Sequence, residues 1–192
     1  MNGRYENGAL PEKVRLLYEA VLAMVTDGWD INRMKVSDIT AQAGIGKGTA
    51  YEYFSSKEEI IANAVLYDVE MRLAHVLEIT KGEGDFAGKF VQILTYMEEV
   101  FAKRQAFCLL VRIGTGSYEV SESMRRECEK RQQALGCHLA DRIVESLMCQ
   151  GVSEGTIGET NPYLQKLAFV AQILARSGRR IRTCRSWRSW RR

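Results

Sequence analysis

The sequence contains few residues that interrupt helices. Proline occurs twice in 192 residues, at Pro11 and Pro162, whereas alanine, leucine, glutamate, lysine and arginine are frequent. Proline breaks helices and these other residues favour them, so the composition predicts an all-α protein. The length suits one large domain or two small ones.

Other absences exclude whole classes of function. No run of 18 apolar residues occurs, so no membrane span is expected. Residues 1–13 have no apolar signal-peptide core, so we expect a cytoplasmic protein. Only two histidines are present, His75 and His138, with no Ser-His-Asp set and no phosphate-binding loop. We therefore expect no enzymatic activity, no catalytic residue and no cofactor.

The five cysteines form no CxxC pair, and a cytosolic chain is expected to keep them reduced. Zinc ligation through Cys128, Cys137, His138 and Cys149 is possible in principle, but these spacings match no common zinc site. No metal site is predicted.

Hydrophobic periodicity and helix-capping signals predict eight helices. Their expected ranges are 11–28, 36–43, 47–54, 57–80, 86–103, 105–113, 120–150 and 162–176. Ser56 and Glu59 form a capping box before the fourth.

Residues 44–54, GIGKGTAYEYF, complete a helix, a short glycine turn and a second helix. This is the pattern of a helix-turn-helix, whose second helix enters the major groove of DNA. Ala50 and Phe54 are expected to face inward. Polar and small residues are left to meet bases and phosphates, so we predict DNA contacts by Lys47, Gly48, Thr49, Tyr51, Tyr53 and Lys57.

The stretch VSDITAQAGIGKGTAYEYFSSKEEII (36–61) resembles the helix-turn-helix of the tetracycline-repressor (TetR) family of bacterial transcription regulators. The positions that match the family pattern are Asp38, Ile39, Ala43, Gly44, Gly48, Thr49, Tyr51, Phe54, Lys57 and Glu58. The close match covers about residues 10–62. The resemblance implies a homodimer with an N-terminal DNA-binding unit and a C-terminal helical domain for ligand binding and dimerisation. It also implies repression that a small molecule relieves.

The chain departs from the family pattern at several positions. Lys35 stands where a hydroxyl residue is usual, so Lys35 and Ser37 are predicted to take over phosphate contact. Gly46 replaces a usual serine, Thr40 replaces a usual alanine, and Ala50 replaces a larger apolar residue, which is expected to loosen packing by about 1–3 kcal/mol. Trp29 or Met34 is a candidate to fill that space.

Several apolar and aromatic side chains on helices four to seven either form ordinary core or line a ligand pocket. They suggest an apolar or aromatic effector with few polar groups, and His75 is the candidate polar anchor. The pocket residues predicted are Tyr67, Met71, His75, Tyr96, Met97, Phe101, Phe107, Tyr118 and Met124.

The C-terminal residues 176–192 hold eight arginines and no acid. Removing those eight from 27 basic residues leaves 19 against 24 acidic ones, so any DNA surface on the body depends on local charge placement. Three interpretations of the tail stay open: a nucleic-acid contact through arginine and tryptophan, a disordered tail, or an end replaced by a frame shift.

The sequence therefore predicts residues 1–58 as a helix-turn-helix domain, 59–176 as a helical ligand-binding and dimerisation domain, and 177–192 as a basic tail. The predicted function is that of a ligand-responsive repressor, which binds a palindromic double-stranded DNA operator as a homodimer and is released by a small apolar effector. In the alternative interpretation, the protein has the same fold but is a regulator that binds DNA or a protein partner without an effector.

Overall fold

The computed structural model describes residues 10–103, 105–114, 116–135, 138–158 and 161–181. Within those ranges the secondary structure is entirely helical, which confirms the predicted fold class. The helices are α1 (Glu12–Thr26), α2 (Val36–Ala43), α3 (Lys47–Tyr53), α4 (Lys57–Lys81), α5 (Phe86–Lys103), α6 (Gln105–Gly114), α7 (Glu122–Leu135), α8 (His138–Ser153) and α9 (Pro162–Ile181).

The first three helices pack on one another around the apolar face of α1. Val14, Leu17 and Val21 have no exposed surface, and neither do Ile39 of α2 and Ala50 of α3. Burying these side chains is the main stabilisation of so small a helical unit.

Contacts between aromatic rings and the buried side chain of Met34 extend the core of these three helices. The ring of Tyr18 lies 6.0 Å from that of Phe54 and 5.6 Å from that of Tyr67, measured between centroids. Of the two candidates to fill space beside Ala50, Met34 is fully buried and Trp29 is 47% exposed.

The turn between α2 and α3 depends on Gly44. Its φ of 68° lies in the left-handed region, which glycine adopts at little cost,. Its N–H donates to Ala41 O, and the next N–H, of Ile45, donates to Thr40 O at 3.1 Å. These bonds end α2 and set the direction in which α3 begins.

The capping box before α4 is present with one change. The Glu59 N–H donates to Ser56 Oγ at 3.1 Å, as predicted. The Glu59 carboxylate, however, accepts from the N–H of Ser55 at 2.7 Å.

The helix predicted over 120–150 is wrong, because the structure has two helices there, α7 and α8. Glycine has a low helix propensity, and Gly136 follows directly after α7 in the sequence,. The last helix also extends to Ile181, beyond the predicted end at residue 176.

By their contacts the residues form two compact units. Of the described residues, the first contains those from 10 to 67 together with Leu109–Arg131, and the second contains Asp68–Cys108 together with those from 132 to 181. The predicted division at residue 58 follows position along the chain, not contacts, and stays a prediction. Most of the predicted tail, 182–192, lies outside the described residues.

In the second unit, α5 packs on α8 and α9. Lys89 of α5 is buried, and its Nζ donates to Thr80 O at 3.0 Å and to Gln150 Oε1 at 2.8 Å. Gln150 Nε2 in turn donates to Gly84 O at 2.8 Å. The buried ammonium is thus hydrogen-bonded, as a buried charge must be.

Candidate nucleic-acid interface

Helix α3 has one buried and one exposed side. Ala50 and the following Phe54 are buried, as predicted. Lys47, Gly48, Tyr51 and Tyr53 are exposed, and Thr49 is half-buried. The exposed side has an ammonium group and two phenol groups, which suit contact with phosphates. At Gly48 the backbone has no side chain, so it can come close to base edges.

Lys47 and Tyr51 interact on this exposed side. Their spacing of four residues places Lys47 Nζ 5.9 Å from the centroid of the Tyr51 ring,. A cation–π contact at an exposed site is worth about 0.5–1 kcal/mol. The contact keeps the positive charge near the N-terminus of α3, where the helix dipole also favours an anion.

The start of α2 presents the other two predicted contacts. Lys35 precedes the helix, and its backbone N–H donates to Asp38 Oδ2 at 3.0 Å, while its side chain is exposed. Ser37 is exposed as well. Thr40, at a position where the family usually has alanine, is buried and donates to Val36 O at 2.9 Å.

Lys57 is engaged within the chain. Its Nζ donates to the backbone carbonyls of Asn32 at 2.9 Å and Met34 at 3.2 Å. An ammonium has three N–H donors, so these two bonds use most of its hydrogen-bonding capacity. Lys57 therefore holds the segment that leads into α2, a role that the sequence did not indicate.

Tyr118, one of the predicted pocket residues, lies in the first unit against the same segment. Its hydroxyl donates to Asp30 Oδ1 at 2.6 Å, and Asn32 Nδ2 donates to the Glu119 carbonyl at 3.0 Å. The Arg112 guanidinium lies 5.2 Å from the centroid of the Tyr118 ring. Burial, followed by the bond to Asp30, raises the pKa of Tyr118 above its ordinary value, so the phenol stays protonated and able to donate.

The other predicted pocket residues divide between the two units. Tyr67 and buried Met124 belong to the first unit. The second unit contains Met71, His75, Tyr96, Met97, Phe101 and Phe107. Of these, Met97 and Phe101 are buried, whereas Met71 and His75 are exposed.

Ring contacts bring some of these residues together in two pairs. The centroids of His75 and Tyr96 are 4.5 Å apart, and those of Phe101 and Phe107 are 5.0 Å apart.

The second unit has an open cavity of about 450 Å³ between α5, α8 and the start of α9. None of the nine predicted pocket residues lines it. Its walls are mainly apolar and include two glutamine amides; they are Phe86, Phe90, Met148, Ile157, Gly158, Leu164, Gln165, Ala168, Phe169 and Gln172. The apolar face of α5 was visible in the sequence, but its pairing with α8 and α9 was not.

Across the described ranges, no three His, Cys, Asp or Glu side chains are placed to hold a metal ion. Of the four zinc ligands considered from the sequence, Cys137 lies outside the described residues. No helix in the described part of the chain is long and apolar enough to cross a membrane.

The helix-turn-helix matches a known family model. Residues 30–64, which contain α2, α3 and the segment held by Lys57 and Tyr118, match the family described as bacterial regulatory proteins, tetR family. This segment of the chain is similar to the helix-turn-helix of that family.

A transcriptional regulator of Bacillus subtilis (strain 168) is similar in sequence. This helix-turn-helix transcriptional regulator, YuxN, is 25% identical over 132 residues, which are 68% of this chain and 44% of YuxN. The chain thus spans less than half the length of that relative.

Solved structures share the fold at low sequence identity. The fatty acid degradation regulator FadR of Bacillus halodurans has a TM-score of 0.70 at 14% identity, over 92% of this chain and 89% of its own. FadR of Bacillus subtilis, in complex with stearoyl-CoA, has a TM-score of 0.64 at 17% identity, over 83% and 82%. At these identities the likeness shows the fold alone.

Proposed function

We propose that this chain is a TetR-family regulator, which represses transcription as a homodimer on a palindromic operator and is released by an apolar effector. The observation that carries the proposal is the exposed side of α3. It combines Lys47, Tyr51 and Tyr53 with the bare backbone of Gly48, on a helix whose opposite side is fixed in the core.

The proposed DNA contacts fall into two groups. Lys35, Ser37, Lys47, Tyr51 and Tyr53 contact phosphates, which sets the position of the protein on the duplex. Gly48 and Thr49 lie against base edges, because small side chains let the backbone approach them. Lys57 acts indirectly, by holding the backbone at residues 32 and 34.

The proposed homodimer rests on α9. Tyr163, Leu164 and Leu167 lie on this helix and are 70%, 57% and 53% exposed. A second copy of the chain would cover such a face, as homodimer interfaces are rich in apolar surface. Two α3 helices in a dimer then reach successive major grooves, about 34–36 Å apart or a multiple of that.

The proposed effector is an apolar molecule. The cavity between α5, α8 and α9 has a volume within the usual range for ligand sites, about 300–1,000 Å³,. Its phenylalanines suit an acyl chain or an aromatic ring, and Gln165 and Gln172 offer amides to a polar group. A fatty-acyl ligand is the first class to test, since a neighbour of the same fold was solved with stearoyl-CoA.

Selection of bound duplexes from a random pool tests the DNA-binding part. We expect one palindromic motif, and Lys47→Ala and Tyr51→Ala should each weaken binding and lower the dependence on salt. Binding of these variants with unchanged affinity and salt dependence would contradict the assignment. Release of the operator by fatty acyl-CoA, with no effect of CoA alone, would support the effector class.

A further inference from the structure

The segment between α1 and α2 is held at residues 30–34 by side chains from two distant parts of the chain. Lys57 binds the carbonyls of Asn32 and Met34. Tyr118 binds the carboxylate of Asp30, 88 residues away in sequence. We propose that Tyr118 and Asn32 are positioning residues for DNA binding: they fix this segment, and through it the start of α2 where Lys35 and Ser37 are presented.

The contact between Tyr118 and Asp30 has the geometry of a strong hydrogen bond. At 2.6 Å between Oη and Oδ1 it is in the range of hydrogen bonds from a hydroxyl to a carboxylate, which are stronger than neutral ones. The same carboxylate accepts the Asn32 N–H at 3.0 Å. The turn is thus organised around one negative charge, and Tyr118 supplies a donor from outside the turn.

Tyr118 is itself fixed by its own segment. Its N–H donates to Arg112 O at 3.1 Å, and the Arg112 guanidinium lies over its ring. Glu119 adds the second long-range bond by accepting from Asn32 Nδ2 at 3.0 Å. Two bonds from adjacent residues therefore set both the distance and the orientation of the segment relative to the turn.

The backbone between the turn and the start of α2 is short and hydrogen-bonded. The N–H groups of Arg33 and Met34 donate to Asp30 O at 2.9 and 3.1 Å. Met34 is fully buried, and Lys35 directly follows it as the residue before α2. Little backbone freedom remains between Asp30 and Lys35, so a displaced Asp30 also displaces Lys35.

This inference rests on the proposed function, because it takes Lys35 as a phosphate contact. The test is a double-mutant cycle on binding of the full-length protein to the duplex that the wild type selects. Tyr118→Phe removes only the hydroxyl, and losing a hydrogen bond to a charged group corresponds to roughly 10- to 100-fold in affinity if the loss passes fully to DNA binding. We expect about three- to thirtyfold weaker binding, because part of the lost hydrogen-bond free energy lowers the stability of the free protein and not its affinity for DNA.

The coupling to Lys35 separates positioning from general stabilisation. If Tyr118 acts through the start of α2, Lys35→Ala weakens binding much less in the Tyr118→Phe background than in the wild type. A merely structural role gives independent effects, because the two side chains belong to separate parts of the unit. Asn32→Ala should show the same coupling to Lys35, which provides a second variant if Tyr118→Phe folds poorly.

Two controls complete the test. Thr95→Val removes a hydroxyl from α5 in the second unit, where it donates to Val91 O at 2.9 Å, and this variant should bind DNA like the wild type. Lys47→Ala tests the proposed interface separately.

These variants distinguish the positioning role of Tyr118 and Asn32 from the proposed DNA interface. If Lys47→Ala weakens binding but Tyr118→Phe and Asn32→Ala do not, or if their effects and that of Lys35→Ala are independent, the positioning role is wrong and the interface stands. If the wild type binds no duplex, both are wrong.

Discussion

Gly48 lies on the exposed side of α3, where an added Cβ meets no other atom within 4 Å. The fold therefore does not require glycine here. Because alanine is the better helix former, Gly48→Ala should raise the free energy of unfolding by about 0.5–1 kcal/mol. It should nevertheless weaken operator binding by about tenfold, or 1.4 kcal/mol, if the backbone at this position approaches the bases. Urea unfolding and titration of the labelled operator measure the two effects.

Gly44→Ala is the matched control for this prediction. Gly44 has a φ of 68°, so alanine there is strained and should lower stability by about 1 kcal/mol. The two glycine variants thus differ in the sign of their effect on stability. Equal operator binding by Gly48→Ala and the wild type would show that DNA does not approach the backbone at this residue.

The thiol of Cys128 should react slowly with alkylating reagents. Burial, followed by the nearby charges of Glu127 and Glu129, raises its pKa to about 11. The raised pKa favours the thiol in the folded state, so at pH 8 only about one molecule in a thousand has the reactive thiolate. Mass spectrometry after iodoacetamide treatment should find exposed Cys149 modified well before Cys128, with Cys128 gaining as the pH approaches 11. Equal rates at pH 8 would contradict this.

At the scale of helices, periodicity predicted most elements because it depends on local sequence. Helices α2 and α5 have the expected bounds, Val36–Ala43 and Phe86–Lys103. The division into α7 and α8 was missed because a run of polar residues followed by an apolar face looks like one amphipathic helix. Apolar periodicity by itself does not show whether such a stretch forms one helix or two.

The candidate site could be predicted only where it is local. Ala50 and Phe54 were expected inside from their spacing, and both are buried. The bonds of Lys57 to Asn32 O and of Tyr118 to Asp30 span 25 and 88 residues. Such pairings depend on tertiary packing, and neither charge nor periodicity in the sequence indicates them.

The end of α8 packs closely because residue 151 is glycine. A Cβ there would lie 2.8 Å from Phe86 Cδ2 and 2.9 Å from Ile157 Cγ1. Gly151→Ala should therefore lower the free energy of unfolding by about 1–3 kcal/mol, the usual cost of overpacking. Gly158→Ala is the control, since a Cβ at 158 meets nothing within 4 Å. Equal stability of the two variants would show that Phe86 and Ile157 move aside without cost.

At the scale of the whole molecule, the exposed apolar residues of α9 connect dimerisation to DNA binding. Leu164→Asp with Leu167→Asp places two charges on the face proposed to meet a second copy, and burying an unpaired charge is costly. We expect the double variant to be monomeric in sedimentation experiments at concentrations where the wild type is dimeric. Val91→Asp, at an exposed valine of α5, is the matched control and should leave the dimer intact.

Operator binding of the same variant then tests how the two copies act together. A dimer binds both half-sites of a palindrome, so the second contact gains from a high effective concentration. The Leu164→Asp, Leu167→Asp variant should lose affinity for the full palindrome and bind a single half-site as the wild type does. Equal loss on both duplexes would mean that the aspartates disturb the helix-turn-helix. If the variant is monomeric in solution yet binds the palindrome with full affinity, two copies do not need contact through α9 to bind the operator together.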